Sequence, residues 1–143
     1  MKYQNIITIK FPSISENESF ARSVVSIFAL KLNPSVSQIS DLKTAVSEAV
    51  TNCIVHGYPN SVGDITLEAK IEQGTIHINI IDEGVGIDNL QQALEPFFTT
   101  KGDEERSGMG FTIMKSFMDN VEVFSEKGKG TKICMSKKLT PNE

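Results

Sequence analysis

Apolar and polar residues alternate from Asn5 to Phe11, which puts Ile7, Ile9 and Phe11 on one face of a strand that Pro12 closes. The period then changes. Ser15 with Glu18 three residues on has the form of a capping box. Phe20, Val24, Ile27/Phe28 and Leu32 recur at helical spacing as far as Asn33-Pro34. A second helix is predicted from the Ser35–Ser40 region, with Ile39, Leu42, Val46, Ala49/Val50, Cys53 and Ile54 inward, and it stops at Gly57-Tyr58-Pro59. Period two returns in a hairpin, Asp64 to Glu72 and Thr75 to Asp82, turned by Gln73-Gly74. A short helix is predicted over Asp88 to Leu94. A charged, aperiodic loop comes next, from Glu95 to Ser107, then a helix from Phe111 to Met118. Strands Val121–Ser125 and Thr131–Lys137 close the pattern around Gly128-Lys129-Gly130, and the tail from Leu139 is expected to fray. The order β-α-α-β-β-α-loop-α-β-β predicts an α/β (α+β) two-layer sandwich, one mixed sheet with helices on one face.

The chain has 143 residues, which fits one domain over 1–143 and allows a substantial core. Its formal net charge of −4 argues against general nucleic-acid binding, which needs a basic face. The two cysteines, Cys53 and Cys134, lie far apart and outside any CxxC pattern. They read as small buried hydrophobes rather than a disulfide or zinc site. No signal peptide or spanning segment is legible, so the expected location is cytoplasmic.

Three glycine-rich points carry candidate chemistry, and none is a Walker loop or a dinucleotide turn. On the second helix, Glu48 and Asn52 are four apart and share a face, with His56 one turn further. An Asn oxygen suits Mg²⁺, and a Glu one turn away can accept a proton from an attacking hydroxyl. An ordinary solvated helix face is the competing reading. Asp82-Glu83-Gly84-Val85-Gly86 ends a strand. Its Asp can accept from the exocyclic amine of adenine, while the glycines let backbone approach a planar base. A plain loop would also favour these residues. Arg106-Ser107-Gly108-Met109-Gly110-Phe111 precedes a helix and can offer amides to an anion, with Arg106 and Lys101 to neutralise it. Thr131 comes just after a hairpin turn, from which it can reach a base.

Taken in order, Glu48-Ala-Val-Thr-Asn52, Asp82-x-Gly84-x-Gly86, Phe97-Phe98-Thr99-Thr100-Lys101 and Gly108-x-Gly110 resemble the GHKL ATPase superfamily. The resemblance implies the Bergerat fold, ATP/ADP as ligand and a mobile lid at about 95–109. SENESFAR (Ser15–Arg22), SEAVTNCIVHGY (Ser47–Tyr58), DEGVGI (Asp82–Ile87), PFFTTK (Pro96–Lys101) and ERSGMGFTIM (Glu105–Met114) are similar to the anti-sigma F factors of spore-forming bacteria. That family implies a homodimeric serine/threonine protein kinase that binds sigma factor F and phosphorylates a serine of an anti-anti-sigma factor. By position, it implies Asn52 as the Mg²⁺ ligand, Asp82 as the adenine reader and Glu48 as the base. It places Gly84, Gly86, Ile87 and Thr131 around the nucleotide, Thr99, Thr100 and Lys101 along the lid, and Gly108, Met109, Gly110 and Phe111 at the phosphates. Arg106 would approach the γ-phosphate. Cys53 departs from the small Ala usual there, and Arg22 matches a segment near the dimer and sigma surfaces.

Other readings stand beside this one. A nucleotide-gated binding module would need no Glu48. A histidine-kinase ATP domain would need a phospho-accepting helical domain, and a gyrase- or MutL-type ATPase would need a transducer domain. The related anti-sigma B kinases share the same chemistry.

Overall fold

The computed structural model describes residues 5–95 and 110–140. Five strands form one sheet in the order β1-β2-β3-β5-β4. They are β1 (Asn5–Pro12), β2 (Asp64–Glu72), β3 (Thr75–Asp82), β4 (Asn120–Glu126) and β5 (Gly130–Lys138). Every neighbouring pair is antiparallel, so the sheet is not the mixed sheet expected from the element order. The β1–β2 connection passes through two helices and still returns antiparallel, and β5 enters between β3 and β4 as the second arm of a hairpin.

Period-two alternation is realised along the sheet. Ile65, Leu67 and Ala69 of β2 and Ile76, Ile78 and Ile80 of β3 are buried on one face, joined by Ile133 and Met135 of β5. Three helices cover that face: α1 (Glu16–Ala29), α2 (Val36–Asn52) and α4 (Gly110–Phe117), with α2 between the other two. The fourth, α3 (Leu90–Ala93), is a single turn, shorter than the Asp88–Leu94 expectation.

Two details of the helices differ from the sequence reading. Ser15 has helical dihedrals (φ −56°, ψ −33°), so its hydroxyl does not cap, and Glu18 turns instead to Arg22 at 3.1 Å. The capping box forms one helix later, where extended Ser35 accepts from Gln38 N at 3.1 Å and Gln38 Oε1 accepts from Ser35 N at 3.2 Å. The buried stripe of α1 is Ala21, Val25, Phe28 and Ala29, while Phe20 and Ile27 are 52% and 67% exposed. The buried side thus mixes two alanines with Val25 and Phe28, while two equally large apolar residues face outward. The start of the tail also differs, since Leu139 is buried and donates to Gly74 O at 2.9 Å rather than fraying, while residues 141–143 lie outside the described residues. Cys53 is buried as expected, but Cys134 is only half-buried, on the open face of the sheet.

Among the described residues no helix is long and apolar enough to cross a membrane.

Candidate active site

The site forms where α2 ends beside the last residue of β3. Glu48 lies in the last turns of α2 and is 7% exposed, not on a solvated face. α4 covers it: a Cβ on Gly110 would stand 3.5 Å from Glu48 Oε2. The side chain is therefore held at the N-terminus of α4, where backbone N–H groups lack helical partners. Asn52 is half-buried and is the last α-helical residue before the chain widens into a π-helical turn, Cys53–Gly57. Such turns insert one residue and shift the register of the chain beyond them. Here the turn brings Gly57 and Tyr58 onto the end of β3.

Asp82 closes β3 and is 2% exposed. Its Oδ1 accepts from Gly84 N at 2.9 Å, whereas Oδ2 is buried with no hydrogen-bond partner. Burial pushes the Asp82 pKa up. The Gly84 amide, the Cys53 thiol and the Thr131 backbone offset part of the rise, in that order. The thiol lowers it as a weak hydrogen-bond donor to the carboxylate, one that falls short of full hydrogen-bond geometry at Oδ2. Cys53 is itself raised well above the ordinary thiol value, first by burial and then by the Asp82 charge, so it is an unreactive thiol at neutral pH.

The glycines are needed for close approach. A Cβ on Gly84 would collide with Gly57 O, and one on Gly130 with Asp82 O. Gly86 (φ 74°) lies against Glu126 O in the same way. Thr131 is buried opposite Asp82 in the β3–β5 register. Its Oγ1 is 2.7 Å from Ser125 Oγ, which donates to Gly130 O at 2.9 Å and accepts from Ile87 N at 2.8 Å. One serine thus ties Ile87 and Thr131 to the β4–β5 hairpin.

The structure brings Glu48, Asn52, Asp82, Gly84, Gly86, Ile87, Gly110, Phe111 and Thr131 to one end of the sheet and the helices over it. Phe111 does so as a core residue of α4. Thr99, Thr100, Lys101, Arg106, Gly108 and Met109 lie outside the described residues. Sequence reasoning missed Gly57, Tyr58 and Ser125. Gly57-Tyr58 was legible only as a helix stop, and Ser125 only as the end of a strand.

A five-stranded antiparallel sheet under three helices, with an orphaned carboxylate oxygen beside close-packed glycines, defines an α/β sandwich of the GHKL class. A family model for the histidine kinase-like ATPase domain matches residues 11–137, and the chain belongs to that family. Within it the chain belongs more narrowly with the anti-sigma F factors. The relative from Thermoanaerobacter sp. (strain X514) is 55% identical over 137 residues, 96% of each chain. That from Clostridium acetobutylicum is 56% identical over 136 residues, 95% of each. Among solved structures, the RsbU and RsbW domains of Rv1364c from Mycobacterium tuberculosis superpose with a TM-score of 0.67 at 17% identity, over 94% of this chain and 32% of that one. The catalytic domain of the histidine kinase ThkA gives 0.60 at 15% identity, over 94% and 97%. These two likenesses concern the fold.

Proposed function

We propose that the protein is an anti-sigma factor that binds sigma factor F and, with Mg²⁺-ATP, phosphorylates a serine of an anti-anti-sigma protein. The buried Glu48, one turn before Asn52 and against the N-terminus of α4, carries this reading. A carboxylate there can accept the proton of an incoming hydroxyl, a role that a pure binding clamp does not require.

The residues suit the nucleotide. Asp82 Oδ2 is an acceptor without a donor, which an adenine 6-amino group would supply. Gly84, Gly86 and Gly130 let the backbone of Gly57, Glu126 and Asp82 pack directly on them, which shapes the turns that would border the base. Asn52 would hold Mg²⁺, and Gly108 to Phe111 would meet the phosphates. When bound, Mg²⁺-ATP supplies the phosphoryl group. Thr99, Thr100, Lys101 and Arg106 belong to a lid over about 95–109, and Lys101 and Arg106 neutralise charge as it closes. The chain acts as a single domain and a homodimer in the cytoplasm.

The test incubates the protein with γ-labelled ATP, Mg²⁺ and the anti-anti-sigma partner, beside Glu48→Gln. Label should reach a partner serine and fall about 10²–10⁴-fold in the variant. Nucleotide bound without any transfer would replace the kinase with a nucleotide-gated binding module, and transfer undiminished in the variant would remove Glu48 as the base.

A further inference from the structure

We propose that Gly57 and Tyr58 are positioning residues that aim the Asp82 carboxylate and so set the discrimination between 6-amino and 6-oxo purine nucleotides. The inference rests on Asp82 reading the base, as proposed above, and extends it to residues that act through Asp82.

Gly57 and Tyr58 fix three successive parts of the Asp82 turn. The first is the carboxylate itself. A Cβ on Gly57 would stand 2.8 Å from Asp82 Oδ2, 2.9 Å from Cγ and 3.1 Å from Oδ1. The bare Cα therefore forms the wall against which the carboxylate rests. The second is the next amide, since Glu83 N donates to Tyr58 Oη at 2.7 Å. The third is Val85 N, which donates to Gly57 O at 2.9 Å. That carbonyl also packs on the Cα of Gly84, the residue whose amide holds Oδ1.

Tyr58 is itself fixed at both ends. Its hydroxyl donates to Asp64 O at 2.7 Å, its ring fills the space a Cβ on Gly63 would need, and its amide donates to Cys53 O at 3.1 Å across the π-helical turn. The pair therefore transmits the position of α2 to the end of β3. In Gly57→Ala the new methyl meets a side chain, not backbone. The Asp82 carboxylate must rotate, losing the Gly84 amide and turning Oδ2 away from its present direction. Tyr58→Phe keeps the ring but frees the Glu83 amide, and so loosens the same turn.

Orientation matters because an amino group donates to Oδ2 while a 6-oxo group repels it. A hydrogen bond to a charged acceptor corresponds to about 10–100-fold in affinity. Binding of ATP and ITP to wild type, Gly57→Ala and Tyr58→Phe tests the proposal. Wild type should prefer ATP. Gly57→Ala should lose about 10–100-fold of that preference through weaker ATP binding with ITP unchanged, and Tyr58→Phe should move the same way. A general structural defect would weaken both nucleotides alike and leave their ratio intact. An unchanged ratio in Tyr58→Phe, together with one in any folded Gly57→Ala, overturns the inference even if melting temperatures fall. A wild type that does not distinguish ATP from ITP would instead overturn the base-reading role of Asp82, on which the inference rests.

Discussion

Because burial raises the pKa of Asp82, ionising it costs the folded protein free energy that the unfolded chain does not lose. The folded state favours the protonated carboxyl, so stability from this group is fully present below the ordinary carboxylate range and is lost as pH rises through the raised pKa. Replacing Asp82 by Asn should therefore stabilise the nucleotide-free protein at pH 7, and the advantage should shrink as pH is lowered toward the carboxylate range. Thermal melts of both proteins across that range check it. A variant less stable at pH 7 would contradict the assignment. The same change should abolish the preference for adenine, a trade of function for stability that strained sites commonly show. Ser125 and Tyr58 matter at this scale too. Each is an ordinary polar side chain in the sequence, and only the fold shows that each hydroxyl ties its own segment to two others.

The helix starts illustrate how far pattern carries and where it stops. Ser15-x-x-Glu18 and Ser35-x-x-Gln38 both have the form of a cap, yet only the second has the extended Ncap backbone that lets the hydroxyl reach the third amide. Ser35→Ala should cost about 1 kcal/mol. Ser15→Ala should fall within about 0.5 kcal/mol of wild type. Urea midpoints at constant slope measure both. The β2–β3 hairpin was legible to its end residues because alternation and a Gln-Gly turn point the same way, the turn using positive φ at Gln73 and Gly74. The inward face of α1 was not. Helical spacing fits Phe20, Val24 and Ile27 as well as Ala21, Val25 and Phe28, and alanines give no hydrophobic signal that they mark the packed side. Glu48 and Asn52 were legible as a pair by their four-residue spacing. Burial of Glu48 was not, because the helix that covers it lies more than sixty positions away in the chain.

Across the molecule, β1 and β4 are the edge strands of the sheet among the described residues. Ile6 is exposed on the open face of β1, and on the helical layer α1 turns Phe20 and Ile27 to solvent, followed by Leu30 just after its end. Exposed apolar side chains on a helix are a surface that proteins ordinarily cover. The proposed homodimer would cover those of α1. Sedimentation equilibrium should return a dimer, and Ile27→Lys should shift the distribution toward monomer without lowering the melting temperature of the monomer. A wild-type chain that stays monomeric at high concentration would leave that face for another partner.

The strand register also fixes where the ends of the described chain emerge. Asn5 pairs with Ile71, and Leu139 bonds to Gly74, so both ends meet at the β2–β3 turn. Asp82 and Thr131 sit at the opposite end of the sheet, seven residue steps away along β3, or about 24 Å. A fluorescent reporter joined at Asn5 or Thr140 would therefore hang from the pole of the molecule remote from the chemistry. A short Gly-Ser bridge from Thr140 to Asn5, with the chain reopened at the exposed Gly128 turn or another hairpin, offers a route to circularly permuted sensors.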